Sequence, residues 1–384
     1  MGDRYDVIVV GARVGGAATA MLLARHGLRV LLVDRGRYGT DTLSTHALMR
    51  GGVFLLSRWG LLDRIVEAGT PPVRRTRFDY GDGDVSITIK PTAGVDALYA
   101  PRRTVLDRLL VDAAAAAGAE VRFGFTVSAL LRDGAGRVVG VHGRDRTGDT
   151  VAVHAGLVVG ADGIRSTVAR QAGAATVRRG SAASAIIYGY WQDLPANGYE
   201  WFYRHGHTAG IIPTNAGEVC VFAGTAADRL TPAARSDLRH TYDEVLASAT
   251  GGAGGRFADA RRPRRLHTWI GRPSFIRDAC GAGWALVGDA GSFLDPLSTH
   301  GITDALRDAE LLARSIVETG PTLERFARTR DQVVDPLFRV VEQIAGHGWD
   351  STQIRHHLGE LSSAMSAELE LITAGLREEP RGGR

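Results

Sequence analysis

Residues 6–34 read DVIVVGARVGGAATAMLLARHGLRVLLVD, and their pattern decides the fold. An apolar run, Asp6 to Val10, enters a glycine loop, a helical stretch follows from about Val14 to His26, and a second apolar run spans Arg29 to Val33. That is a βαβ unit, which implies a parallel sheet in an α/β fold. Gly11-Ala12-Arg13-Val14-Gly15-Gly16 stands at the strand-to-helix turn. A G-x-G-x-x-G loop at such a turn brings a dinucleotide pyrophosphate onto the positive helix N-terminus. The first glycine permits the tight turn, and the last lets helix pack closely on strand. Arg13 replaces the middle glycine, so its side chain must point outward or over the ligand. Asp34 follows Gly16 by 18 residues, close to the spacing of about 20 expected for a carboxylate that holds an adenosine ribose. This segment alone does not separate one dinucleotide from another.

The 384 residues suffice for two or three domain-sized units, and 44% hydrophobic with 23% charged residues suits a globular chain with a sizeable core. The formal net charge is only +4. Lys90 is the sole lysine, and the arginine cluster Arg261, Arg262, Arg264 and Arg265 reads as a solvated turn, not a nucleic-acid footprint. Cys220 and Cys280 lack C-x-x-C spacing, so neither a disulfide framework nor a zinc site is indicated, and no metal is expected. No run approaches the about 20 apolar residues of a membrane span, and the first apolar segment is too short for a signal peptide. A cytoplasmic location is expected.

Further along, helical patterns cover His46 to Ser57, Leu61 to Ala68 and Arg103 to Ala117. Short strands are predicted at Thr76 to Tyr80, Val85 to Ile89, Glu120 to Phe125, Val127 to Leu131, Val138 to His142, Val151 to His154 and Leu157 to Val159, the last re-entering the first sheet. From about Ala175 to Trp269 the pattern is strand-rich, with aromatic residues in Ile186 to Trp191, Tyr199 to Tyr203, Gly210 to Pro213 and Val219 to Phe222. Trp284 to Val287 is a buried strand. Helices broken near Gly320 and Gly348 run from Gly301 to about Leu369, and residues 378–384 are expected to be a disordered tail.

Three more motifs make the reading specific. Gly160-Ala161-Asp162-Gly163 follows Leu157-Val158-Val159, Gly288-Asp289-Ala290 follows Trp284-Ala-Leu-Val, and Arg103-Thr-Val-Leu106-Asp-Arg-Leu-Leu110 opens a helix. In order and spacing these resemble the DG, GD and R-x-x-L-x-x-x-L motifs of the flavoprotein monooxygenases of the aromatic hydroxylase type, a superfamily that also holds the geranylgeranyl reductases. The resemblance implies a Rossmann-like, three-layer FAD-binding domain over residues 1–75, 95–174 and 270–320. It further implies an inserted β-sheet substrate domain over 76–94 and 175–269, then C-terminal helices over 321–377.

The same resemblance assigns FAD to Gly11, Arg13, Gly16, Asp34, Arg35, Arg103, Val127, Asp162, Asp289, Pro296, Gly301 and Ile302. Asp289 would accept hydrogen bonds from the ribityl hydroxyls, Arg103 would lie near phosphate and ribityl, and Val127 would lie along the adenine. Pro296 would begin the loop along the isoalloxazine, with Gly301 and Ile302 offering N–H groups to the pyrimidine oxygen at a helix N-terminus. Asp162 also reads as a common Asp-Gly turn, with Ser166 as a helix cap. Leu-Ser-Thr-His occurs twice, ending at His46 and at His300, so the two histidines are candidates to face one reaction space and shuttle a proton. Trp191, Tyr199, Trp201, Tyr203 and Pro213 are candidate substrate-lining residues.

The activity so implied is oxygenation of a small, aromatic or natural-product substrate by reduced FAD and O2 through a C4a-hydroperoxide. NAD(P)H or a separate flavin reductase would supply the electrons. A flavin-dependent reductase of the geranylgeranyl reductase type is the alternative. A halogenase reading lacks the W-x-W-x-I-P motif, with Lys90 as the only haloamine lysine available, and a non-catalytic FAD-binding protein is the remaining reading.

Overall fold

The computed structural model describes residues 4–252, 254–320 and 322–377. The tail at 378–384 lies outside the described residues. β1 (Arg4–Val10) turns through Gly11 into α1 (Val14–Arg25), and β2 (Val30–Asp34) returns parallel to β1, with Val7 opposite Val30 and Val10 opposite Val33. Next come α2 (Arg50–Arg58), α3 (Leu62–Glu67), the hairpin β3 (Arg75–Asp79) and β4 (Asp84–Thr88), α4 (Arg103–Ala116) and β5 (Glu120–Phe123). The meander β6 (Thr126–Arg132), β7 (Val138–Arg144) and β8 (Thr150–Gly160) leads to α5 (Thr167–Ala172). Then follow β9 (Thr176–Arg179), β10 (Ser184–Trp191), β11 (Tyr199–Arg204), β12 (His207–Pro213) and β13 (Val219–Ala226). Helices α6 (Pro232–Ser236), α7 (Leu238–Thr250) and α8 (Gly254–Phe257) precede β14 (His267–Trp269), β15 (Phe275–Arg277), β16 (Cys280–Gly281), β17 (Trp284–Leu286) and β18 (Ser292–Phe293). The chain closes with α9 (Gly301–Thr319), α10 (Glu324–Ala345) and α11 (Ser351–Arg377).

The first sheet runs β16-β17-β8-β1-β2-β5, with β7 and β6 hairpinned onto β8. Its central parallel strands β17, β1 and β2, with the Val158–Gly160 end of β8, are apolar runs buried on both faces, as parallel sheets require, while β5 at the edge is half-exposed. The second sheet runs β14-β10-β13-β12-β11-β3-β4, so residues from the 76–94 stretch and from the 175–269 stretch share it. A small third sheet, β18-β15-β9, lies beside them. On the second sheet, Ile186, Tyr188, Trp201, Tyr203 and Phe222 join the core shared with α1, α4 and α9. Residues one position away, Ile187, Trp191, Phe202 and Val221, face α7 instead, as the two-residue strand period dictates.

Three segments differ from expectation. Helix α2 begins at Arg50, not His46, because the Ser- and Thr-rich stretch before it bonds locally: Ser44 Oγ accepts the His46 N–H at 3.0 Å, and His46 sits at φ 72°. The two strands expected within 151–159 are one strand, β8, because Gly156 continues the ladder against β1. Within the strand-rich region lies α7, whose apolar positions Tyr242, Val245, Leu246 and Ala249 keep helical spacing between the Asp237 cap and left-handed Gly251.

The glycine loop is set by sterics. Gly11 has φ +106°, and a Cβ there would meet the Ala161 carbonyl at 2.3 Å; a Cβ on Gly16 would meet the Gly11 carbonyl at 1.8 Å. Gly16→Ala is therefore expected to destabilise by about 3 kcal/mol or more in chemical denaturation. Gly359→Ala, at an exposed mid-helix position of α11 with nothing near its new Cβ, should stabilise by about 0.5–1 kcal/mol.

Candidate functional site

Around the glycine loop, Asp34 is tied in place: Oδ2 accepts the Ala12 N–H at 2.7 Å and Oδ1 the Gly36 N–H at 2.6 Å. Arg35 beside it is exposed. Arg13 swings clear of the loop to Asp107 at 2.8 Å and the Thr40 carbonyl at 2.7 Å, which accommodates an arginine where the motif has glycine. Asp107, buried on α4, also receives both Nε and Nη2 of Arg103, at 2.8 and 3.1 Å. One carboxylate thus fixes two arginines. Together Ala12, Arg13, Asp34, Asp107, Val111 and Phe123 help to line a small cavity over the sheet's carboxyl edge, the place where open α/β sheets bind ligands. Asp107 was not singled out from sequence, although its i+4 position from Arg103 was a usable signal.

Val127 is buried in β6 opposite Gly143. Asp162 holds the backbone together, because its Oδ1 accepts the Ser166 hydroxyl at 2.5 Å and its Oδ2 the Thr167 N–H at 2.6 Å, while Ser166 Oγ caps the Ala169 N–H at 2.9 Å. Its carboxylate thereby closes the start of α5.

Asp289 is the opposite case. Its carboxylate takes part in no hydrogen bond or ion pair among the described residues, and burial pushes its pKa up to about 7, with repulsion from Asp304 adding and Arg103 opposing. A carboxylate left unbonded at the end of a buried strand has the chemistry of an acceptor awaiting hydroxyl donors. With the glycine cradle that a Cβ would fill, it fits the ribityl and pyrophosphate parts of FAD.

The loop after it is rigid. Asp295 accepts N–H groups of Leu297 at 3.1 Å and Ser184 at 2.7 Å, Pro296 opens a single 3-10 turn, and Thr299 takes φ 55° before Gly301 and Ile302 begin α9.

The two histidines serve different partners. His300 is 1% exposed, with Nδ1 3.0 Å from Asp304 and Nε2 2.9 Å from Glu368 of α11. Those carboxylates raise its pKa to about 10 despite burial, which lowers it. Held between two carboxylates, His300 is a cationic member of a buried cluster. Arg307 bridges Asp304, Asp308 and Glu368 in the same buried cluster, and Asp308 accepts the Gly288 N–H at 2.9 Å. His46 places Nε2 2.5 Å from the Tyr190 hydroxyl, while its Nδ1 is buried without a partner among the described residues. Burial first, then the charges of Arg102 and Arg103, hold its pKa well below the ordinary value, so the ring is neutral.

Around His46 stand residues not singled out from sequence. The Arg102 guanidinium lies 3.6 Å over the Tyr190 ring and pairs with Glu218 at 2.6 Å and Asp41 at 3.1 Å. Tyr188 stacks on His267 at 4.9 Å, and its hydroxyl receives the Ser44 N–H at 3.1 Å. The 41–49 loop thus links this sheet face to α9, where Thr303 Oγ1 receives the Met49 N–H at 3.3 Å.

The expected lining residues divide between the two faces of the second sheet, and Trp191 stands apart from the others. It lies on the far sheet face, where its indole N–H donates to Tyr242 at 2.9 Å. Trp201 donates to Thr76 at 3.0 Å, Tyr199 packs against it, and Tyr203 stacks on Tyr80 with Trp349 at its edge. All three are core side chains, and Pro213 is half-buried at the end of β12. Lys90 is exposed.

The family model described as "FAD binding domain" matches residues 4–320. The chain is similar to the menaquinone reductase of Mycolicibacterium smegmatis, 30% identical over 340 residues that cover 84% of this chain and 78% of that protein. It is also similar to the digeranylgeranylglycerophospholipid reductase of Methanocella arvoryzae, 26% identical over 82% of this chain and 78% of that one. Among solved structures, the flavin-dependent brominase Bmp2 superposes with TM-score 0.75 at 19% identity, covering 98% of this chain and 100% of that one. PqsL, a probable FAD-dependent monooxygenase from Pseudomonas aeruginosa, gives TM-score 0.69 at 19% identity, over 95% and 100%. At such identities the likeness is one of fold.

Asp289→Asn should lower FAD affinity about tenfold to hundredfold, the worth of hydrogen bonds to a charged group. It should also raise the melting temperature of the cofactor-free protein, most above pH 7: a folded-state pKa above the unfolded 3.8 means that the ionised carboxylate costs stability as pH rises through about 7. FAD titration and thermal melts check both. For His300 the sign is reversed. Its stabilisation is complete below about 6.5 and lost as pH rises through about 10, so His300→Gln should flatten the fall in melting temperature over that window. Parallel curves would contradict the ion cluster of Asp304, Glu368, Arg307 and Asp308 around it.

Proposed function

The chain belongs to the FAD binding domain family of FAD-dependent oxidoreductases, and from that premise we propose a monooxygenase that inserts one oxygen atom into a small, electron-rich substrate bearing an ionisable hydroxyl. Bound FAD, reduced by NAD(P)H or by a partner flavin reductase, supplies the two electrons that activate O2. The observation that carries the reading is the His46–Tyr190 contact at 2.5 Å, with Arg102 over the tyrosine ring and His46 Nδ1 left unbonded.

Electron-rich rings react fastest as their anions, so the protein's part is to take up the hydroxyl proton as oxygen is transferred. The Tyr190 oxygen is placed to accept that proton while its own passes to His46 Nε2. The ring is neutral and therefore able to receive it. Burial holds the Tyr190 pKa far above the ordinary value, so the two transfers are coupled and no free tyrosinate forms. Arg102, 3.6 Å from the ring, favours the negative charge that passes through it. The Gly301 end of α9 would meet the flavin pyrimidine, Asp289 its ribityl chain and the Gly11 loop its pyrophosphate.

A second reading rests on the relatives named menaquinone reductase and digeranylgeranylglycerophospholipid reductase. In it, the same His46–Tyr190 relay gives a proton to a carbon–carbon double bond that receives hydride from reduced FAD. The titratable, polar character of the wall favours the ionisable substrate over a hydrocarbon chain.

The decisive assay follows NADPH and NADH oxidation with dissolved oxygen across a panel of phenols, with and without an added flavin reductase. Substrate-dependent oxygen uptake with a hydroxylated product is expected. A reduced enzyme that ignores oxygen and passes electrons only to an alkene would replace the oxygenase reading with the reductase one. Tyr190→Phe should cut kcat about 100-fold, the usual worth of a positioned proton acceptor, while bound FAD, read from its visible spectrum, stays at the wild-type level.

A further inference from the structure

His300 presents a buried imidazole with a carboxylate oxygen on each side, Asp304 at 3.0 Å from Nδ1 and Glu368 at 2.9 Å from Nε2. Carboxylates only accept, and a neutral imidazole has a single N–H, so two such partners require both ring nitrogens to be protonated. The ring is a cation. Its neighbour in the chain is Gly301, the first residue of α9, and α9 and α11 hold it between them.

The three side chains bring one ligand atom each within 4.8 Å of one another, a spacing that a metal ion could use. Arg307 already occupies that role: its Nη1 bonds both Asp304 and Glu368, at 2.6 Å in the latter case, and its Nη2 bonds Asp308 at 2.8 Å. Divalent metal would have to displace a guanidinium. The cluster is an ion-pair network with two cations, His300 and Arg307, against Asp304, Asp308 and Glu368. From Asp308 it continues to the Gly288 N–H, one residue before Asp289.

From this arrangement we infer that the His300–Glu368 bridge, which ties the closing helix α11 to the first turn of α9, is a positioning device that fixes a positive charge beside Gly301 and Ile302 and thereby sets the electron affinity of the bound flavin. The inference rests on the reading that residues 296–302 meet the flavin ring. Reduced flavin carries more negative charge than oxidised flavin, and the N–H groups at the start of α9 favour that charge. A cation shut away from water acts at this range with little screening. Three carboxylates against two cations leave the network at a formal −1; without His300, Asp304, Asp308 and Glu368 would face Arg307 alone at −2, and reduction would be opposed more strongly.

The experiment measures the midpoint potential of the FAD-loaded protein against redox dyes under anaerobic conditions, for the wild type, His300→Gln and His300→Lys. The glutamine variant is expected to lower the preference for reduced over oxidised FAD about tenfold, about 30 mV for a two-electron couple. The lysine variant, which keeps a cation between the same carboxylates, should recover most of that loss. A His300→Gln protein that holds FAD at the wild-type potential would overturn the inference, as would equal losses in both variants. Where His300→Gln fails to retain FAD, the ring 15N signals of His300 in the wild-type holoenzyme at pH 8 decide: an imidazolium supports the bridge, and a neutral ring overturns it. The potential is read without turnover or oxygen, so its outcome is independent of whether the enzyme is an oxygenase or a reductase.

Discussion

Five charged side chains closed off from water hold this molecule's working parts in register. His300, Asp304, Arg307 and Asp308 lie at the start of α9, and Glu368 reaches them from α11. Breaking a buried pair by removing one partner costs about 3–5 kcal/mol, so the elements that carry these groups cannot drift apart. Through Asp308 the network fixes the Gly288–Asp289 turn, and α9 also steadies the 41–49 loop through Thr303. One helix therefore aligns Asp289, the Pro296 loop and the His46 loop beside the second sheet.

Set against that rigidity are groups that the fold leaves unsatisfied. The Asp289 carboxylate and His46 Nδ1 lack protein partners among the described residues; His46 Nδ1 is fully buried, and such an atom costs about 1–3 kcal/mol, while the half-buried Asp289 carboxylate opens toward solvent. Asp34, Asp107 and Asp162, in contrast, are fully engaged with backbone or arginine. The distinction separates acidic residues already bonded within the protein from one whose carboxylate is free of protein partners among the described residues. It also explains how Arg13 can stand in the glycine loop: Asp107 draws the side chain off the turn, leaving the close approach of Gly11 and Gly16 to backbone intact.

Much of the fold was legible because its signals are local. Strand period, glycine loop, the spacing to Asp34 and the later Asp-Gly and Gly-Asp turns all lie within short windows, and the strand-rich stretch between those two turns contains most of the second sheet. What the sequence concealed depends on partners far apart in the chain. Nothing near Glu368 announces that it will meet His300, and nothing near Asp107 announces Arg13, because packing of α11 on α10 and α2 and of α4 on α1 makes those pairs. Tyr190 and Trp191 show a subtler failure. Both are aromatic, but the strand turns adjacent residues to opposite faces, and only knowledge of which face meets the 41–49 loop puts Tyr190 beside His46 and Trp191 in the contact with α7. His300 resembled His46 in its local sequence, yet two carboxylates on one and a tyrosine hydroxyl on the other give them opposite charge states.

The central claim is that one cleft joins the Gly11 loop, Asp289 and the start of α9 on the cofactor side to His46 and Tyr190 on the substrate side. A crystal structure of the FAD-loaded protein tests it most directly. The ribityl hydroxyls are expected to donate to Asp289, the pyrimidine to sit at Gly301 and Ile302, and the Tyr190 hydroxyl to face the open side of the flavin ring. A flavin bound elsewhere, or bound with Asp289 still unpartnered and Tyr190 turned away from it, would contradict the claim.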